Sequence, residues 1–223
     1  MKRLLLVDTC GSAGSVALAD CDEAGEVAVL AAEVLPGRSA SERLVPVVRQ
    51  MFARHGWRLA ELAAIAVARG PGSFTGVRVG LSAVKGWSEA SGVPLIALSR
   101  LEVLAVQGGD STAHVWAILD AGRGEFYGGE YGEGRCVREL LLTGEELRRA
   151  AEGARIVVCE MKVAEVLEDL APVMVAEPGA AELLPLAMRR LQEGAFDDVA
   201  LLDANYLRRM EQEIAARIAA AGR

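Results

Sequence analysis

The chain alternates between short apolar runs of strand length and longer stretches whose apolar positions recur at helical spacing. Residues 3–8 make the first run, which ends on Asp8. A small polar turn, Thr9-Cys10-Gly11-Ser12-Ala13-Gly14, returns into a second strand at 15–19, and a third follows at 26–34, so the chain opens on an antiparallel meander. Residues 39–54 predict a helix that Ser39 or Ser41 can cap. Its Leu44, Val45, Val47, Val48, Met51 and Phe52 spread over an arc of about 160°, wider than contact with one sheet requires. Pro46 falls in the first two turns if the helix starts near Arg43, where a missing N–H costs least.

A strand at 63–68, a glycine-rich turn, a helix over 74–90 and a strand at 94–98 complete a β-β-β-α-β-α-β order. The pattern then restarts. Residues 114–119 form an apolar strand ending on Asp120, the turn Ala121-Gly122-Arg123-Gly124 follows, and strands at 125–131 and 135–142 return from it. Helices over 144–151, 162–170 and 181–193 alternate with strands at 155–159 and 172–175. The shared plan predicts an α/β protein of two tandem domains, each a mixed sheet opening with an antiparallel meander and flanked by helices. The expected division is 1–100, 101–204 and a closing helix over 205–223, with Leu207, Met210, Ile214 and Ile218 on one face.

The turn Arg69-Gly70-Pro71-Gly72-Ser73-Phe74-Thr75-Gly76-Val77-Arg78 is where strand becomes helix. Pro71 fixes φ, Gly70 and Gly72 allow dihedrals other residues resist, and Ser73 or Thr75 can cap the helix. Phe74, Val77, Leu81 and Val84 line one face of that helix; Gly76, Gly80, Ala83 and Trp87 line a second. Two readings of the second face stand open. The glycines pack on the chain's own sheet, or they admit the backbone of a partner helix.

The spacing excludes the two strong nucleotide motifs. No frame supplies Gly-x-x-x-x-Gly-Lys-Ser/Thr, and Gly70-x-Gly72-x-x-Thr75 lacks the third glycine of a dinucleotide fingerprint. Ser73 has no nucleophile elbow around it, and the histidines, His55 and His114, sit at a helix end and a strand start, so neither a Ser-His pair nor a metal pair is expected. Asp8 and Asp120 are the better candidates for chemistry. A two-domain phosphotransferase of the actin and sugar-kinase type places a metal-linked carboxylate at the end of such a strand; an aspartate also ends strands simply by accepting turn N–H groups.

Composition narrows the classes. A net charge of −7 speaks against a large nucleic-acid footprint. The cysteines, Cys10, Cys21, Cys136 and Cys159, have no C-x-x-C spacing and fit a reduced compartment. No apolar run reaches membrane-spanning length and no signal peptide is expected, so a cytoplasmic location and no membrane partner are anticipated.

The residues together resemble the TsaB family, the dimerisation subunit of the bacterial machinery that makes threonylcarbamoyladenosine in tRNA. Leu6-Val7-Asp8-Thr9 with Ser15-Val16-Ala17-Leu18, the stretch Arg69 to Arg78, Leu119-Asp120-Ala121-Gly122-Arg123-Gly124-Glu125-Phe126-Tyr127 and Tyr206-Leu207-Arg208 carry the likeness. Two departures stand out: no histidine in Ser39-Ala40-Ser41-Glu42, and Ala204-Asn205 where a proline often precedes the tyrosine. The resemblance implies two actin-like (ASKHA, ribonuclease H-like) domains related to the glycoproteases, without catalytic residues or a metal site. It implies a subunit that binds TsaD in the transfer of threonylcarbamoyl to N6 of adenosine 37 of tRNAs reading ANN codons. TsaE is a further partner, the isolated chain forms a homodimer, and tRNA is met only through the complex. No cofactor is expected in this chain, ATP entering with the complex.

The partner surface so implied comprises Leu44, Val45, Val48, Met51, Ser73, Phe74, Gly76, Val77, Gly80 and Leu81, and Asp8, Thr9 and Asp120 mark a degenerate nucleotide cleft. The alternative is an active nucleotide-dependent kinase or ATPase using Asp8 and Asp120. A peptidase finds neither a metal pair nor a Ser-His arrangement in the sequence.

Overall fold

The computed structural model describes residues 2–22, 25–36, 39–109 and 114–207. The expected helix over 205–223 lies, from residue 208 onward, outside them.

β1 (Lys2–Asp8) is the middle of the first sheet, and its Leu4, Leu5, Leu6 and Val7 are fully buried. A run apolar on both strand faces requires cover on both faces of the sheet. β2 (Gly14–Cys21) and β3 (Val27–Leu35) follow antiparallel. α1 (Ala40–His55) leads to β4 (Leu62–Ala68), parallel to β1, and α2 (Phe74–Ser91) leads to β5 (Leu95–Leu98), parallel to β4. The order is β3-β2-β1-β4-β5.

After α3 (Arg100–Gln107) the plan repeats with β6 (Val115–Gly122), β7 (Glu125–Gly132), β8 (Arg135–Thr143), α4 (Gly144–Ala150), β9 (Arg155–Val158), α5 (Met161–Val166) and β10 (Val173–Met174). The second sheet is ordered β8-β7-β6-β9-β10, the first sheet's order with new strands. The two mixed sheets flanked by helices are the expected α/β architecture.

One helix is missing from the predicted elements, and another, predicted in place, packs on the other sheet. α3 is absent from the predicted elements because Leu101, Val103 and Leu104 within eight residues leave no helical stripe to count. Leu101 and Leu104 pack on the second sheet with Val115, Ala117 and Tyr131. α6 (Leu184–Glu193), grouped by sequence with the second half, buries Leu184, Leu186, Ala187 and Met188 in the core of the first sheet. Arg189 of α6 pairs with Glu102 of α3 at 2.8 Å, so the helices between the sheets are tied to each other.

Local capping also differs in detail. α1 starts at Ala40 rather than near Arg43, and the Ser39 hydroxyl donates to the Pro36 carbonyl at 2.6 Å instead of capping the helix. Ser73 does cap α2, accepting from the Gly76 N–H at 3.2 Å.

Candidate functional site

The glycine turn and the β1–β2 turn are built into each other. Gly70 and Gly72 have φ of +97° and +154°, which a side chain resists. The Ser73 N–H donates to the Cys10 carbonyl at 2.8 Å, and the Cys10 thiol donates to the Ala68 carbonyl at 3.2 Å. Thr9 Oγ1 donates to the Gly76 carbonyl at 2.6 Å. A Cβ on Gly76 would lie 1.9 Å from the Thr9 carbonyl oxygen, and one on Gly80 would lie 2.4 Å from Thr9 Oγ1.

These distances decide between the readings of the second helix face. Gly76 and Gly80 are buried and admit the chain's own β1–β2 turn, not a partner helix. Further along, Lys85 Nζ donates to the Leu202 carbonyl at 3.0 Å, and Ala83 and Trp87 pack against the first core. The cover that α2 demands is supplied within the chain.

The same holds for most of the expected partner surface. Leu44, Val48 and Met51 of α1, and Val77 and Leu81 of α2, are core residues. Val77 and Leu44 are 2% and 1% exposed, so a charge at either would disrupt folding before it reported on association. Val45 and Phe74, at 45% and 52%, and Ser73 remain at the surface.

Around Phe74 stands a cluster that the sequence does not announce. The Arg78 guanidinium carbon lies 3.7 Å from the Phe74 ring centroid, Arg78 Nε donates to Tyr206 Oη at 2.8 Å, and the Phe74 and Tyr206 rings are 5.5 Å apart. Arg78 and Tyr206 are separated by 128 positions, and their one local signal is that each lies in a quoted motif. Beside them Thr9, Ser12, Ser41, Ser73, Thr75 and Val79 help line a groove of about 540 Å³ between the N-terminal ends of α1 and α2.

The other candidate site lies between the sheets, a cleft of about 310 Å³ lined by Cys10, Ser12, Arg100, Asp120, Glu160 and Glu177 among others. Asp8 is 1% exposed, and both its oxygens are engaged. Oδ1 accepts from the Cys10 N–H at 2.7 Å and Oδ2 from Arg100 Nε at 3.4 Å. Asp120 repeats the turn bond, accepting from the Gly122 N–H at 3.1 Å, and its other oxygen pairs with Lys162. Asp8 ends β1, whereas β6 runs on to Gly122, two residues past Asp120; each aspartate nonetheless holds the N–H two residues on. Thr9 is buried behind the turn and faces α2, away from the cleft. No observation favours the kinase reading: both Asp8 oxygens are engaged within the chain, one of them by a buried guanidinium. Among the described residues, no group of three or more His, Cys, Asp or Glu could hold a metal ion.

Arg100, at the first position of α3, is the residue sequence reasoning missed. It is 4% exposed and joins Asp8 to Glu177, whose Oε1 accepts from Arg100 Nη2 at 2.8 Å. Burial pulls its guanidinium toward neutrality, and the carboxylates of Asp8 and Glu177 outweigh that and hold it charged. Burial first, and the Asp8 carboxylate second, push the Cys10 thiol well above its ordinary range, so Cys10 is a structural thiol.

Comparison with known proteins places this arrangement. The family model of TsaD, the tRNA N6-adenosine threonylcarbamoyltransferase, matches residues 34–154, just over half of the chain. The tRNA threonylcarbamoyladenosine biosynthesis protein TsaB of Escherichia coli is 36% identical over 132 residues, 58% of this chain and 54% of that protein. TsaB of Bacillus subtilis is 36% identical over 94 residues, 42% of this chain and 41% of that one. The matched segments thus span about half the length of these relatives. The solved structure of YeaZ from Pseudomonas aeruginosa superposes with a TM-score of 0.74 at 31% identity, covering 93% of this chain and all of that one. With the two actin-like sheets, the glycine turn and a solved relative matched along its whole length, the chain belongs to the TsaB family.

Proposed function

We propose that this chain is a non-catalytic subunit that binds and supports a TsaD-type transferase as threonylcarbamoyl is moved to N6 of adenosine 37 of tRNAs reading ANN codons. The observation that carries the reading is the cluster at the N-terminal end of α2, in which exposed Phe74 and Arg78 stack with half-buried Tyr206. Aromatic residues and arginine are the side chains on which protein interfaces concentrate binding energy. A net charge of −7 fits a chain that meets tRNA through its partners.

In this reading TsaD docks over Val45, Ser73 and Phe74, and a second copy of the chain uses the same surface when TsaD is absent. TsaE joins as the ATP-using partner, the chain itself holding no cofactor, and the assembly works in the cytoplasm. Among the described residues no helix is long and apolar enough to cross a membrane.

Phe74→Glu and Arg78→Glu leave the core untouched and are the direct probes. Each is expected to weaken association with TsaD by at least about 30-fold, the effect of losing a hot-spot residue of about 2 kcal/mol. Size-exclusion chromatography of the mixture reads the loss, and circular dichroism checks the fold. Retention of the complex by both variants, or threonylcarbamoyl transfer by TsaD and TsaE without this chain, overturns the proposal.

A further inference from the structure

The β1–β2 turn holds an anion, and the anion is the chain's own. Glu177 Oε1 accepts from the Ser12 N–H at 2.9 Å and from Arg100 Nη2 at 2.8 Å, while Oε2 accepts from Ser12 Oγ at 2.6 Å. Arg100 Nη2 also donates to the Pro178 carbonyl at 3.3 Å. Three charge-assisted bonds on one carboxylate, one of them from a guanidinium whose side chain is 5% exposed, make a built cradle and not a chance surface pair.

Gly11 leaves open the space that this carboxylate and the Arg100 guanidinium occupy. A Cβ there would lie 2.7 Å from Glu177 Oε1 and 2.6 Å from Arg100 Nη2. Ser12 is exposed and the Glu177 side chain 39% exposed, so the cradle opens on solvent and on the cleft between the sheets.

We propose that the β1–β2 turn is a binding site for a small carboxylate, closed in this chain by Glu177. The opposite wall of the cleft carries Asp120 and Glu160, and Asp8 already shares Arg100. One guanidinium faced by Asp8 and Glu160, with Asp120 already paired to Lys162, leaves little positive charge to spare and suits a singly charged ligand over a polyphosphate. The cradle is thus selective for carboxylate over nucleotide phosphates. Glu177 follows β10 of the second sheet, so its seat on Ser12 also ties that segment to the first sheet.

The test uses acetate as the probe on Glu177→Ala, followed by thermal unfolding. Acetate is expected to raise the midpoint of the variant by about 2–4 °C over an equal ionic strength of chloride, and to leave the wild type unchanged. Pyrophosphate at the same ionic strength raises neither. Adding Gly11→Ala to Glu177→Ala fills the seat with a methyl group and removes the acetate effect. If Glu177→Ala does not fold, Glu177→Gln, which keeps the length but not the charge, carries the same comparison with a smaller rise. Equal shifts by acetate and chloride, an acetate effect that survives Gly11→Ala, or stronger stabilisation by pyrophosphate than by acetate overturns the proposal.

Discussion

The two hairpin turns that follow Asp8 and Asp120 occupy the same place in two sheets of the same order, yet they are held in different ways. Each aspartate accepts the N–H two residues on. Around Asp8 that bond is the start of a network: Arg100 and Glu177 close over the turn, and the glycine face of α2 presses on Thr9. Around Asp120 the partner is Lys162, whose side chain is 65% exposed, and the turn glycines Gly122 and Gly124, at φ of +78°, have nothing within 4 Å of a would-be Cβ. The same residue at the same topological point carries a buried, over-determined junction in one half and a solvated turn in the other. What differs is what packs on the turn, and that sets how much each substitution costs.

The largest contrast lies on α2 itself. Gly76→Ala places a methyl group 1.9 Å from a backbone oxygen that cannot move without shifting β1, and is expected to cost at least about 3 kcal/mol or to prevent folding. Gly86, ten positions along the same helix, has open space about it, and Gly86→Ala is expected to stabilise by about 0.5–1 kcal/mol. Chemical denaturation of both variants reads the difference. Equal effects would mean that the β1–β2 turn does not seat against the helix as described.

Next in size is the pair of aspartates. Asp8→Ala leaves the buried Arg100 with Glu177 as its remaining carboxylate partner and strips the Cys10 N–H of its acceptor, and is expected to cost about 2–3 kcal/mol. Asp120→Ala removes an ion pair with an exposed lysine and one bond from the Gly122 N–H, and its loss of unfolding free energy is expected to be no more than about 1 kcal/mol, well below that of Asp8→Ala. A similar loss in both variants would erase the distinction between the two halves.

The repeat, the succession of elements and the glycine turn were legible in the sequence because each rests on local periods: continuous apolar runs for buried strands, helical spacing for α1 and α2, glycine and proline for the turn. Gly76 and Gly80 even announced a close approach. What they could not announce was the approaching group, since a partner's helix and the chain's own Thr9, 67 positions earlier than Gly76, make the same demand for a missing Cβ. Arg100 is tied to Asp8 across 92 positions and to Glu177 across 77, and no period in the chain joins them. For the same reason the wide apolar arc of α1 read as an interface, although Leu44, Val48 and Met51 are spent on the chain's own core and only Val45 of the predicted set on that helix is left exposed.

Acid gives the finest measure of the difference between the turns. Burial pushes the Glu177 carboxyl upward, and the bonds from Ser12 and Arg100 outweigh it and hold it below the ordinary glutamate value of 4.5. A group whose pKa is lower folded than unfolded contributes stability that is present above the unfolded value and lost as pH falls through the folded one. Glu177→Gln cannot titrate, so it should be less stable than the wild type near neutral pH. The gap should narrow as pH falls below about 4.5, where the wild-type carboxylate takes up its proton. Because Glu177 is partly solvated, the gap is expected to be smaller than that of Asp8→Ala. Denaturant midpoints of the two proteins across this range measure it, and a gap that held constant or widened in acid would show that the carboxylate's charge is not what holds the first turn.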